Sequence, residues 1–312
     1  MAFSFKSFLA KIDGSDAKPS VLGGIAFMLV SVIIFALVNV FSKIVMVTYP
    51  PAQVFFIRGF GAMAVMLPLL ARDNFAAARN LPRPGIQFLR VALSVSDAML
   101  FFTAIKYIPL VDATTCYLAA PIFVTAFSAI FLREQVGWRR WTAVLVGFIG
   151  VLIALRPTGA SMSWPALLAL AGCLCQSILM IITRYVRGTS NVFLATAQVA
   201  GSFAFGGLVT AFIFVPPTWL MVVLLMISGI VNVAGVICVN RALIVAPASI
   251  VAPFQYTMIV WAILLGFLAF GDVPSLNTTI GAAIVAGAGI YIFLRERKVT
   301  RREPEPNPPT VV

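Results

Sequence analysis

Histidine is absent from the 312-residue chain, and aspartate and glutamate together number only ten. The first absence removes the commonest general base, proton shuttle and metal ligand together. Charge is scarce as well: 10% of residues are charged against 61% hydrophobic, whereas soluble domains carry roughly a quarter charged residues. A soluble globular fold is excluded on that ground. The four cysteines, Cys116, Cys173, Cys175 and Cys238, all fall inside apolar runs, so a disulfide framework is not expected. Cys173 and Cys175 point to different faces of a helix, which argues against a shared metal. A Gly-x4-Gly-Lys-Ser/Thr phosphate loop is missing, and the few acids form no metal-binding cluster. These gaps weigh against an integral-membrane enzyme and a nucleotide-driven pump, and they imply no cofactor.

What the chain has instead is long apolar runs. Each is around 20 residues, the length a helix needs to cross about 30 Å of hydrocarbon. Lipid offers no partner to backbone N–H and C=O groups, so a helix is the default span. A β-barrel needs alternating residues, and runs such as Val30–Ala36 and Leu220–Ile227 do not alternate. The sequence therefore predicts an all-α integral membrane protein. Ten transmembrane helices are expected, at 22–47, 52–71, 87–107, 112–132, 140–156, 163–184, 192–214, 219–244, 249–270 and 276–294.

The net charge of +12 reads as an orientation signal rather than a nucleic-acid footprint. Eighteen of the 22 lysines and arginines fall on one side of the ten-span arrangement. They are the basic residues of both tails with Arg72, Arg79, Arg83, Arg90, Arg133, Arg139, Arg140, Arg184, Arg187 and Arg241. Only Lys106 and Arg156 fall opposite, while Lys43 and Arg58 lie within spans. Positive charge collects on the cytoplasmic side, so both termini are expected there. The basic run after Leu294 suits anionic headgroups.

The chain is also written twice. Ala104–Pro109, continuing to Glu134 and Gly150, recurs 138 residues later as Ala242–Pro247, Asp272 and Gly287/Gly289. Phe41-Ser42-Lys43-Ile44, near the end of the first span, matches Ile182-Thr183-Arg184-Tyr185 near the end of the sixth. The repeats are expected at 21–156 and 162–294, joined through Arg156-Pro157-Thr158-Gly159, with tails at 1–20 and 295–312. Five spans per copy make the second repeat enter the membrane from the opposite side. Such inverted five-helix repeats are a device of secondary transporters, because two copies rocking about a midplane site give alternating access. The partners implied are a small-molecule solute and lipid, with no ATPase subunit. Nothing in the sequence sets an oligomeric state.

Asp97 is the most informative single residue. Entering at about residue 87 and rising 1.5 Å per residue, it lies about 15 Å deep. An acid at that depth marks a ligand or proton site, or else a buried pair that joins two helices. Arg58, about 9 Å below the other boundary, can bind an electron-rich solute group, pair with Asp97, or snorkel. Its counterpart in the second copy is Gln198, so this position is charged in one half only. Asn39 and Lys43 share one face of the first helix. Gln176, Asn232, Gln255 and Tyr256 are the second-half candidates; each can hydrogen-bond a solute or simply join helices. Glu134 and Asp272 read as structural helix-end acids, able to accept backbone donors or pair with an arginine. Pro121 and Pro253 fall within spans and are expected to kink them. Ala143/Gly147 and Ala283/Gly287 permit close helix packing.

The same residues carry a family resemblance. The Ala-x4-Pro turns at Ala104–Pro109 and Ala242–Pro247 belong to it, as does Pro121 leading to Leu132-Arg133-Glu134. So do Ala252-Pro253-Phe254-Gln255-Tyr256, Val260-Trp261-Ala262 and Phe270-Gly271-Asp272-Val273-Pro274, with Arg58 and Lys43. The membrane region resembles the ten-helix drug/metabolite transporter superfamily in its EamA branch. That resemblance implies two five-helix bundles around a central cavity, built largely from spans 1–4 and 6–9. It implies a bacterial inner-membrane carrier, most similar to uptake groups for riboflavin and for S-adenosylmethionine, with riboflavin first to be tested. Efflux on the same scaffold is the other direction it allows. Aromatic residues Phe101, Phe102, Tyr117, Phe254, Tyr256 and Trp261 are placed to stack on a flat ring, or to pack.

Overall fold

The computed structural model describes residues 20–72, 83–155 apart from 109, 118 and 135, 164–271, and parts of 276–291. The expected linker, both tails, Pro109 and Asp272 lie outside the described residues. Helices account for every long element: α1 Val21–Met46, α2 Pro51–Arg72, α3 Pro84–Tyr107, α4 Leu110–Tyr117, α5 Ala120–Phe131 and α6 Trp138–Leu155. They continue with α7 Trp164–Tyr185, α8 Asn191–Thr210, α9 Trp219–Val245 and α10 Ala248–Val251. A 3₁₀ turn over Ala252–Thr257 then leads into α11 Met258–Phe270. Among the described residues there is no strand.

Local chemistry sets the ends. Ser20, Ser190 and Thr218 each accept the backbone N–H three residues on, from Gly23, Phe193 and Met221, and so cap α1, α8 and α9. Among the described residues, seven segments are long and apolar enough to cross a membrane, α10 to α11 counting as one. Large apolar side chains such as Phe88, Leu208 and Leu268 stay exposed on their outer faces. In water that would be a liability; against lipid it is the expected surface. The chain is a multi-pass membrane protein.

The fourth span of each repeat is broken rather than merely kinked. In the first, α4 ends at Tyr117 and α5 begins at Ala120 with Pro121 in its first turn. In the second, α10 passes through the 3₁₀ turn, with Pro253 in its first turn, before α11. Proline is tolerated there because a first-turn N–H has no intrahelical partner to lose. The two prolines are not at matching positions, yet the segments they punctuate are. Leu110 and Ala248 start the first pieces 138 residues apart, and Ala120 and Met258 start the second pieces at the same spacing.

Helices pack mainly across the two halves. The broadest contacts are α2 with α8, α3 with α7, and α1 with α9, followed by α2 with α9. Each first helix thus lies on the third helix of the other half, and the second helices lie on each other. At α2–α9 the backbones touch: a side chain at Gly61 would overlap the Met226 carbonyl, and one at Gly229 would overlap the Arg58 carbonyl. The ends sort accordingly. Ser20 N–H donates to Val245 O at 3.1 Å, and Arg83 sits over the Tyr185 ring at 4.7 Å. At the other end Val215 N–H donates to Gln53 Oε1 at 2.9 Å, Tyr107 meets Trp164, and Lys43 lies over Phe270. We call these the Ser20 end and the Phe270 end.

Glu134 fastens the Ser20 end. Its carboxylate accepts from Ala248 N–H, Ser249 N–H and Ser249 Oγ, and it pairs with Arg184 Nε at 3.4 Å. The structural role expected of it holds, with one difference: its donors come from the second half, not from the helix that follows it in sequence. Of the small-residue pairs, Gly147 packs under the Tyr256 ring, while a side chain at Gly287 would meet nothing within 4 Å among the described residues.

Candidate functional site

The cross-repeat packing leaves a cavity of about 230 Å³. Every long helix that reaches it presents one face, with lining residues three or four apart as helical geometry requires. On α1 these are Val32, Phe35 and Asn39; on α2, Phe55, Arg58 and Ala62; on α3, Ser94, Asp97 and Phe101. On α7 they are Gln176, Leu179 and Thr183, on α8 Gln198 and Ser202, and on α9 Gly229, Asn232, Val236 and Asn240. The broken spans add Thr114, Tyr117, Gln255 and Met258. The walls are therefore aromatic and aliphatic, studded with carboxamides, and hold two ionisable groups of opposite sign.

Six of the eight residues singled out from sequence line this space: Asn39, Arg58, Asp97, Gln176, Asn232 and Gln255. Two do not. Tyr256 is fully buried, its hydroxyl donating to Val144 O at 3.1 Å. Lys43 lies beside Phe270, its ammonium 5.6 Å from the ring centre. Of the aromatics, Phe101, Phe102 and Tyr117 reach the cavity, while Phe254 is buried in a core cluster.

Arg58 and Asp97 do not pair. Asp97 Oδ1 accepts the Tyr117 hydroxyl at 2.7 Å. The Arg58 guanidinium donates to Ser42 Oγ at 3.1 Å and lies over the rings of Phe55 and Phe102, at 5.4 and 6.0 Å from their centres. A guanidinium stacked on aromatic faces is held in place while most of its donors stay open. Three buried polar atoms on the lining residues, Thr114 Oγ1, Asn240 Nδ2 and Gln255 Oε1, have no hydrogen-bond partner. Each such atom costs about 1–3 kcal/mol until something bonds it. A solute with donors and acceptors along one edge would relieve that cost.

One reading of the sequence is corrected. Arg241 and Arg90, which the charge pattern groups with the residues facing a membrane surface, are buried, and Arg90 is fully so. Its Nε donates to Thr183 Oγ1 at 3.0 Å, Nη1 to Leu194 O at 2.9 Å, and Nη2 to Asn240 Oδ1 and Gln198 Oε1 at 3.1 and 3.3 Å. The reason is the inverted partner: α7, α8 and α9 bring four acceptors to a point that the sequence of α3 alone gives no hint of. Ser42 and Thr183, the hydroxyls that receive Arg58 and Arg90, are matching residues of the repeated motif. Arg90 therefore fills, in the second half, the place that Arg58 fills in the first, where Gln198 brings no charge. Sequence reasoning pairs Arg58 with Gln198 but misses the arginine that compensates.

Comparison with known proteins fits this geometry. Residues 22–156 match the EamA-like transporter family. The chain is 28% identical to a riboflavin transporter of Rhizobium johnstonii, over 89% of this chain and 93% of that protein. It is 29% identical to a riboflavin transporter of Vibrio cholerae, over 90% and 96%. It is 24% identical to an S-adenosylmethionine uptake transporter of Rickettsia prowazekii, over 91% and 97%. A solved structure superposes with a TM-score of 0.69 at 17% identity, over 89% of this chain and 98% of that one, which supports the fold alone. The matched segment comprises α1 to α6. It contributes Asn39, Arg58, Asp97 and Tyr117 to the cavity, and α7 to α11 supply the carboxamide-rich remainder.

Proposed function

We propose that this chain is a secondary transporter that carries a small organic metabolite across the bacterial inner membrane by alternating access, with riboflavin as the first candidate. The observation that carries the reading is the cavity itself. It lies between two halves packed head to tail, and it gathers the deep ionisable and amide side chains of an otherwise apolar fold. The repeats at 21–156 and 162–294, with cytoplasmic tails, follow from the same reading. Asp97 and Arg58 are its charged solute or coupling residues. Asn39, Gln176, Asn232 and Gln255 are its neutral ones.

Riboflavin is favoured by the names of two relatives and by the wall chemistry. A flat ring with alternating donors and acceptors suits Phe35, Phe55, Phe101 and Phe102 interleaved with carboxamides. A second reading, S-adenosylmethionine, is favoured by Asp97, one carboxylate at the depth where a sulfonium needs a counter-charge. Uptake of each labelled compound, into a flavin auxotroph or vesicles containing the full chain, separates the two. Export is tested in the same vesicles preloaded with solute. Accumulation of riboflavin above an empty-vector control is expected, and Asp97→Asn should reduce it while leaving the protein in the membrane. Wild-type uptake by that variant would remove Asp97 from the site.

A further inference from the structure

The acid and the phenol that meet in the cavity belong to one repeat only. Tyr117 is the last residue of α4, immediately before the break in the fourth span. Its hydroxyl lies 2.7 Å from Asp97 Oδ1 and 3.3 Å from the Asp97 carbonyl oxygen. Room for it comes from α7, where a side chain at Gly172 would overlap the hydroxyl. Phe101 steadies the ring edge-on at 4.8 Å between centres. The positions 138 residues on are Gly235 and Gln255. Gly235 offers no side-chain acceptor, and Gln255 Oε1 is buried without a partner. The side-chain bond that ties the third and fourth spans at Asp97 and Tyr117 has no counterpart between Gly235 and Gln255.

Such a tie acts at both of its ends. A donor fixed on Oδ1 holds the carboxyl in one orientation and leaves Oδ2 for a solute. The other end is the joint between α4 and α5. A solute donor that meets Oδ2 needs the orientation the phenol sets, so binding and an intact joint favour each other. We propose that Tyr117 is a positioning residue that holds Asp97 for the solute and, through the same bond, makes the α4–α5 joint answer to occupancy of the cavity. This rests on the cavity being the solute site, but its first test does not.

That test is amide hydrogen exchange on the full chain in lipid nanodiscs without solute, which reads local opening directly. Tyr117→Phe deletes the donor. Gly172→Ala displaces the hydroxyl while leaving both partners intact. Each is expected to speed exchange across residues 110–131 by about tenfold, the worth of one hydrogen bond to a charged group, with residues 248–270 unchanged. Wild-type exchange across 110–131 in both variants overturns the proposal. The second readout is uptake of labelled riboflavin, with membrane abundance measured in parallel. Tyr117→Phe should raise KM about tenfold, and should add nothing on an Asp97→Ala background, which has no acceptor for the phenol. Additive losses, or a fall in abundance alone, make Tyr117 a packing residue and also overturn it. Faster exchange, with no uptake of riboflavin or S-adenosylmethionine by the wild-type chain, upholds the tie and removes the transport reading instead.

Discussion

Of the three arginines buried among the described residues, Arg58 and Arg90 stand at corresponding places and are used in opposite ways. Arg58 lines the cavity, held by one hydroxyl and two aromatic faces. Arg90 is enclosed by four acceptors drawn from three helices of the other half. Each is almost wholly removed from bulk water, so each must recover that hydration from the protein, from the cavity or from a ligand. Arg90 recovers it from the protein. Arg58 does so only in part, and its remaining donors are available to whatever enters. The contrast separates charge that builds the molecule from charge offered to a solute.

The largest effect is expected at Arg90. Replacing it with methionine strands Thr183, Leu194 O, Gln198 and Asn240 without their donor. Each buried acceptor left without a donor costs about 1–3 kcal/mol. Arg90→Met should therefore lower the amount of folded protein in the membrane and its unfolding temperature in detergent. Lysine should not rescue it, because an ammonium cannot span acceptors arranged for a planar fork. The double change Arg90→Gln with Gln198→Arg is a sharper test. It moves the guanidinium to α8, at the eighth position of its helix, where Arg58 already stands on α2. Partial recovery of abundance supports the equivalence of the two sites; none breaks it.

At Arg58 the expectation reverses. Arg58→Lys keeps the charge and the stem but loses the stacked fork, so abundance should hold while KM for the transported solute rises about tenfold. A fall in abundance to the level of Arg90→Met would erase the distinction between the two arginines.

How far the sequence reveals this distinction depends on where the partners lie. Asp97 stands out because an acid in the middle of an apolar run is too costly to persist without a partner or a wet cavity. Asn39, Gln176, Asn232 and Gln255 stand out on the same ground in weaker form. Pro121 and Pro253 announce the broken spans, although a 3₁₀ turn in one and an interrupted helix in the other require the packed structure to tell apart. Arg90 is misread because it is only six residues beyond Pro84, at a depth where a surface charge is ordinary. Its acceptors are 93 to 150 residues away, and no local pattern carries that information. The inverted repeat does carry it in principle. Ser42 and Thr183 match, Arg58 and Gln198 match, and the missing cation at 198 is a question that α3 answers.

Tyr256 gives the smallest effect and the finest discrimination. Sequence places it beside Gln255 as a candidate for the solute, yet its hydroxyl donates to Val144 O and its ring packs on Gly147, away from the cavity. Tyr256→Phe removes one neutral hydrogen bond to a carbonyl that lies inside helix α6, a loss of about 1 kcal/mol. A drop of a few degrees in unfolding temperature is expected, with KM and maximal rate unchanged. Gln255→Leu should do the reverse, since Gln255 Oε1 has no partner to lose: stability holds or improves, and KM rises. If the two adjacent substitutions instead move the same observable, neighbouring residues on the broken span are not divided between protein and solute. The rule drawn from Arg58 and Arg90 would then fail in the second repeat.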